Sequence, residues 1–318
     1  MTGKLGVQAL GAALLLSLGA APAAAQTAGP PSEIWEKVSK LGPVINPPET
    51  AKIYGPLHEK EPYKGVKVAR DLKFGADAQR QALDVFVAEA PAAGPRPVLI
   101  FVHGGGFVRG GRRTPDTPFY DNIALFAARN GMVGVNTTYR LAPQHPWPAG
   151  AEDVAAAVRW VGENIAAYGG DPERVVLMGH SAGAVHVASY VAHRQFHGPK
   201  GIGLAGAILV SGLYDLTSMR AGDPEKAYFG EDASMYAERS SLAGLLESSI
   251  PLMVVVAELD PPFFHQQGKQ LADAIFKAPP REFKFLVFPK HSHMSEVYAI
   301  NTSDTRLSDL ILAFVAKK

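Results

Sequence analysis

Ser181 lies in the run Gly179-His180-Ser181-Ala182-Gly183, after the apolar Val175-Val176-Leu177-Met178 and before a helix-capable stretch, 184–192. Strand, five-residue turn, helix is the setting in which G-x-S-x-G holds a serine on a sharp, strained turn. Side chains at 179 and 183 would collide with strand and helix, and the helix N-terminus behind the serine favours developing negative charge. A hydroxyl is a poor nucleophile until a base removes its proton, so this chemistry needs an imidazole and an acid to orient it. Both come late in the chain: Asp260, with Asp215 as the alternative acid, and the pair His291 and His293. Upstream, His103-Gly104-Gly105-Gly106-Phe107 could cradle an anion with backbone N–H groups. No Gly-Lys-Ser/Thr follows it, so it is not a nucleotide-phosphate loop. The N–H groups of Gly105, Gly106 and Ala182 would surround a carbonyl oxygen that gains charge, each worth roughly 10²–10³ in rate. His103 reads as a brace for the loop.

For these groups to meet, a sheet must carry them to one edge. Residues 66–74 and 83–87 read as an antiparallel strand pair around a polar turn. Residues 98–102 are continuously apolar, as in a strand buried on both faces, and run straight into the glycine loop. Helix 118–130, strand 132–136, a proline-rich connection, helix 150–168 and a turn at 169–174 lead to the serine's strand. Strands 207–210, 251–257 and 283–288 follow, with a last helix at 303–316. Asp260 falls just past strand 251–257, where an acid can face the serine; Glu258 points the other way if the strand alternation persists. Residues 217–249 interrupt the strand–helix alternation, and an insertion at this edge is where a lid would sit. Phe107, Tyr214, Phe229 and Met294 are candidate pocket walls.

The 318 residues are 47% hydrophobic and 19% charged, as in an ordinary globular enzyme. A net charge of +1 indicates no preference for nucleic acid or a membrane surface. The absence of cysteine excludes disulfides, thiolate nucleophiles and cysteine-ligated metals. Lys4, an apolar core over 5–19 and Ala23-Ala24-Ala25 read as a signal peptide over 1–25, predicting export to the periplasm or the medium. The apolar core is too short for a bilayer span, and no cysteine follows it for lipid attachment, so no membrane anchor is expected after cleavage. Residues 26–61 form an arm with a short amphipathic helix near Ile34, Trp35, Val38 and Leu41, broken by Pro43, Pro47 and Pro48; it is placed to contribute to a cap over the site. The remaining 62–318 fit one catalytic domain.

Taken together, H-G-G-G-F at 103–107, Y-R-L-A-P at 139–143, G-G-D-P at 169–172 and G-H-S-A-G at 179–183 resemble the bacterial branch of the hormone-sensitive lipase family of α/β-hydrolase esterases. The resemblance implies an α/β-hydrolase fold: a mostly parallel central sheet of about eight strands, flanked by helices, with a small cap or lid. It implies Asp260 as the acid, and His293 rather than His291 as the base, because His293 stands before Met294-Ser295 in the register of the family pattern. It implies Ser181 as nucleophile and the glycine loop as an oxyanion hole. His180 departs from the family, which often has Asp there; the G-H-S-A-G form also occurs in arylformamidases.

Two other patterns are set aside. Gly201, Gly203 and Gly206 form a G-x-G-x-x-G, but it follows a helix and opens a strand, the reverse of a dinucleotide fingerprint. His186, His193 and His197 share a helical face without H-E-x-x-H or a nearby carboxylate, so they read as histidines of a partly exposed helix end and not as a metal site. The expected function is a serine carboxylesterase acting on small or medium acyl esters, with no cofactor and no metal. The alternatives are an arylformamidase-type hydrolase with the same triad and an inactive hydrolase fold used for binding. Dimerisation stays open. An imidazole base has a reference pKa of about 6.5, so activity should fall in acid.

Overall fold

The computed structural model describes residues 29–318, so the expected signal peptide lies outside the described residues. The chain opens with helices α1 (Ser32–Leu41) and α2 (Pro47–Tyr54). Then come β1 (Val66–Lys73), β2 (Ala82–Ala88), β3 (Arg96–Val102), α3 (Asp121–Arg129), β4 (Val133–Thr137), α4 (Ala149–Asn164), β5 (Gly170–His180) and α5 (Ala182–Ala192). β6 (Gly206–Val210) is followed by the short helices α6 (Asp223–Phe229), α7 (Tyr236–Arg239) and α8 (Leu242–Glu247). β7 (Leu252–Leu259), α9 (Pro262–Lys277), β8 (Phe283–Ser292), α10 (Ser295–Tyr298) and α11 (Arg306–Val315) complete it.

The strands form one sheet in the order β1-β2-β4-β3-β5-β6-β7-β8. β2 is antiparallel to both β1 and β4, and every other pairing is parallel. Strand alternation divides the core in two. Val98, Ile100 and Val102 of β3, Leu177 of β5 and Val254 of β7 pack with α4 and α5 on one face. Leu99, Phe101, Met178 and Val255 pack with α1, α3 and α11 on the other. Each fully buried side chain of this kind contributes about 1.5–3 kcal/mol relative to exposure. The double-sided burial makes the sheet a rigid frame, with the serine, acid and histidine segments all leaving it at one edge.

Several boundaries differ from the sequence reading for local reasons. Pro47 and Pro48 start α2 instead of breaking a helix. Asn46 caps it by accepting from the Glu49 N–H at 3.2 Å, and the first helical positions have no use for the missing proline N–H. β5 begins at Gly170, which pairs with Arg96 beyond a register shift, so residues read as a turn are already strand. β8 runs on to Ser292, rejoining β7 at Leu259 after an irregularity. The insertion at 217–249 is helical and divided in use. α6 faces the cavity described below, whereas Leu245 of α8 is buried in the main core with Val187 and Val191 of α5. Among the described residues no helix is long and apolar enough to cross a membrane.

Candidate active site

Ser181 joins β5 to α5 with φ 56° and ψ −126°, a backbone state costing about 1–3 kcal/mol for a non-glycine residue. Its N–H donates to the Val210 carbonyl at 2.8 Å, which ties the turn to β6. The flanking glycines are required by space. A Cβ at 183 would lie 2.1 Å from the Val102 carbonyl oxygen, and one at 179 would lie 2.4 Å from the Gly183 carbonyl oxygen.

The Ser181 hydroxyl is 2.9 Å from His293 Nε2, and His293 Nδ1 is 2.6 Å from Asp260 Oδ1. With Nδ1–H donating to the carboxylate, Nε2 is left to accept from the serine. His293 is fully buried and stacks on Phe264 at 4.4 Å, so its ring has one orientation. Asp260 Oδ2 accepts from the Ala257 N–H at 2.8 Å and from the Ser211 hydroxyl at 2.5 Å.

The rival residues stand elsewhere. Asp215 caps the turn after β6, accepting from the Thr217 N–H at 3.0 Å and from Gln270 Nε2 at 2.5 Å. His291 contacts Asp304 through Nε2 at 2.9 Å and Ser295 Oγ through Nδ1 at 3.0 Å, and stacks on Phe288. Burial works to raise the Asp304 pKa, but hydrogen bonds from His291 and Arg306 outweigh it and hold it at about 2. This pair clamps the loop that presents His293. Glu258 accepts from the Lys290 N–H at 2.6 Å, on an exposed side of the same loop.

The glycine loop leaves β3 against the serine. Gly105, Gly106 and Phe107 have φ of 137°, 57° and 66°, and a Cβ at 105 would lie 2.0 Å from the Arg109 carbonyl oxygen. Among the described residues neither the Gly105 nor the Gly106 N–H has an acceptor, and the Ala182 N–H opens α5. His103 braces the loop from below: Nδ1 reaches the Gly104 carbonyl at 2.6 Å, Nε2 reaches Thr138 Oγ1 at 2.8 Å, and the ring stacks on Tyr139.

A cavity of about 1040 Å³ opens over Ser181. Phe107, Val185, Leu213, Phe264 and Met294 form its inner wall; Ile45, Pro47, Pro48, Ala51 and Pro56 of the N-terminal arm, with Pro224 of α6, form the outer one. Two expected wall residues are not there. Tyr214 is turned into the core because its N–H and that of Asp215 both donate to Gln267 Oε1, at 2.7 and 2.8 Å; Leu213 lines the cavity instead. Phe229 sits behind Phe107, edge-on at 5.5 Å, so it supports the wall without forming it.

The three helix histidines do not converge. His193 bonds the Ser189 and Glu238 carbonyls and His197 the Tyr190 carbonyl. His186 is fully buried among Tyr139, Phe107 and Tyr228, not on a partly exposed helix end, because α5 is packed on all sides at that depth. Among the described residues His180, His293 and Glu296 offer possible metal-ligand atoms within 4.8 Å of one another. Both His293 nitrogens are engaged with Ser181 and Asp260, so an ion there would have to break that chain.

Burial pushes His103 down to about 4, His186 down to about 3, and His180 well below the usual imidazole range. The unfolded chain takes up protons at these sites as pH falls through about 6.5, and the fold does not, so each removes about 1.4 kcal/mol of stability per pH unit once titrating. Glu296, raised by burial and by Asp260, acts in the opposite sense above about pH 4.5 and offsets one of them. The thermal unfolding midpoint should therefore fall steadily from pH 7 to pH 5. A flat or rising midpoint would contradict neutral buried imidazoles.

A nucleophile elbow, a glycine cradle and a serine–imidazole–carboxylate chain at the edge of this sheet define an α/β hydrolase. Residues 99–295 match the family model described as alpha/beta hydrolase fold, more than half of the chain, and the chain belongs to that family. It is similar to carboxylesterase NlhH of Mycobacterium tuberculosis, 48% identical over 88 residues that cover 27% of this chain and 26% of the relative. Esterase LipQ of the same organism is 32% identical over 208 residues, 63% of this chain and 48% of LipQ. The chain thus spans between a quarter and a half of the length of these curated relatives. Among solved structures, an ester hydrolase from the metagenome of Lake Arreo superposes with TM-score 0.65 at 25% identity, covering 84% of this chain and 88% of that one.

Proposed function

We propose that this chain is a serine carboxylesterase that hydrolyses small to medium acyl esters through an acyl-enzyme. The reading is carried by the unbroken chain from Ser181 Oγ through His293 to Asp260, at 2.9 and 2.6 Å, on the floor of an apolar cavity. The naming of similar proteins as carboxylesterase and esterase supports it. His293 Nε2 takes the serine proton as Oγ attacks the ester carbonyl, and Asp260 holds the Nδ1–H and the imidazolium that forms. The oxyanion is received by the N–H groups of Gly105, Gly106 and Ala182. Collapse expels the alcohol, which takes the proton from His293. Water, activated by the same imidazole, then releases the acid from Ser181.

A p-nitrophenyl ester series from acetyl to decanoyl tests the substrate class. Turnover should be highest among the short and medium acyl chains and decline at decanoyl, since the space over Ser181 is a bounded cavity of about 1040 Å³ lined by Met294 and the proline-rich arm. A fluorophosphonate should label Ser181 covalently. Absence of both hydrolysis and labelling would favour a binding role. The His180 that precedes the nucleophile supports a second reading, an arylformamidase-type amide hydrolase. Preferred turnover of an N-formyl arylamine over p-nitrophenyl esters would decide for it.

A further inference from the structure

The second oxygen of Asp260 belongs to a buried chain that the chemistry above leaves unused. Oδ2 lies 2.5 Å from Ser211 Oγ, and the same Oγ lies 2.5 Å from Glu296 Oε1. Ser211 and Glu296 are fully buried and Asp260 nearly so. A hydroxyl carries one proton and cannot donate to two ionised carboxylates at once, so one of these contacts needs a second proton, held on a carboxyl. Asp260 already accepts from His293 Nδ1 and the Ala257 N–H. Among the described residues Glu296 has no comparable donors: Oε2 has no partner, and His180 Nε2, at 3.6 Å, gives its hydrogen to the His293 carbonyl at 2.7 Å. The proton therefore belongs on Glu296. Burial, and next the negative Asp260, push this carboxyl well above the usual carboxylate range, in agreement with the geometry.

We propose that Glu296 is a positioning residue of the triad: as a neutral carboxylic acid it donates to Ser211, which donates to Asp260, fixing the carboxylate that orients His293. This rests on the serine-hydrolase reading and extends it by two residues that touch no substrate. The titratable groups facing Glu296 are Asp260 after β7, His180 at the end of β5, His293 after β8 and Tyr214 after β6. Burial keeps His180 and Tyr214 uncharged, so Asp260 is the negative charge that Glu296 meets.

Ser211→Ala and Glu296→Ala should each lower kcat roughly 10- to 100-fold, the worth of a hydrogen bond to a charged group, with KM near wild type. Capture of Ser181 by a fluorophosphonate should slow by the same factor. Glu296→Gln keeps a donor toward Ser211, so it should rescue most of the kcat lost in Glu296→Ala and leave the acid limb of the kcat/KM profile in place. Were Glu296 ionised, the Gln variant would remove a negative charge beside His293 and move that limb down by about one pH unit, which overturns the proposal. Unaltered kcat in Ser211→Ala overturns it as well. In the resting protein, the downfield imidazole N–H proton resonance of the His293–Asp260 bond should persist in Glu296→Gln and be lost or shifted in Glu296→Ala. An unchanged resonance in a folded Glu296→Ala sinks the proposal. That signal needs no substrate, whereas a wild type that fails to react with phosphonate sinks the hydrolase reading itself. If the alanine variants do not fold, the glutamine variant's acid limb and resonance still decide.

Discussion

Ser181→Ala is expected to lower kcat for every ester by about six orders of magnitude, as loss of a triad serine does elsewhere. The argument is chemical before it is geometric. The covalent route needs an oxygen that attacks the carbonyl and later leaves it, and the Ser181 hydroxyl is the one that His293 Nε2 reaches. Ser211 and Ser295 are buried and committed to carboxylate and imidazole partners. The glycine cradle and cavity remain in the variant, so a residual rate of roughly 10³–10⁴ over water should persist, with KM little changed. The substitution also removes a hydroxyl from a strained turn, but alanine inherits the same φ of 56°, so the thermal midpoint should stay close to wild type. Retention of even a tenth of the activity would show that the nucleophile lies elsewhere. Steady-state kinetics on p-nitrophenyl butyrate, paired with phosphonate labelling and intact mass, checks this.

His293→Ala should be nearly as damaging, because the serine proton then has no acceptor within reach. The contrast with His291→Ala makes the experiment decisive. Both imidazoles are buried, both face a carboxylate, and only Ser292 lies between them. Yet Ser181 is paired with one and Ser295 with the other. His291→Ala should lower stability, since it takes a partner from buried Asp304 and loosens the loop, while most of kcat survives. Asp260→Asn should cost about 10⁴ in kcat by favouring the wrong imidazole tautomer, and Asp215→Asn should cost little beyond a turn cap. An exchange of the two histidine phenotypes would reassign the base.

The frame of this molecule is legible in its sequence where a local rule applies. Continuous apolar runs at 98–102 and 207–210, too short for helices, read as strands covered on both sides, and G-x-S-x-G between a strand and a helix reads as a sharp turn that exposes its serine. Legibility ends where a contact is made across the sheet. Glu296 meets Ser211 over 85 positions of chain, and neither carries a spacing signal; only the return of β6 and β8 to one edge brings them together. Tyr214, a candidate wall residue beside the insertion, is held away from the cavity by a glutamine on α9, 53 positions along, which accepts its N–H. The prolines at 47 and 48 mislead for a different reason: the same ring that breaks a helix interior opens a helix at its first turn, and only the capping Asn46 tells the cases apart. His186 carried no mark of its depth, since an imidazole on a helix is as readable at the surface as in the core.

The arm that roofs the cavity precedes residue 99, where the family match begins. The outer roof of the cavity and the bond-breaking groups thus come from separate parts of the polypeptide, while the inner wall of Phe107, Val185, Leu213, Phe264 and Met294 shares the second part. The two parts are mechanically joined, because Tyr54 of α2 is buried in the same core as Met294, Val297 and Tyr298, so a change in the roof reaches the helix that carries Glu296.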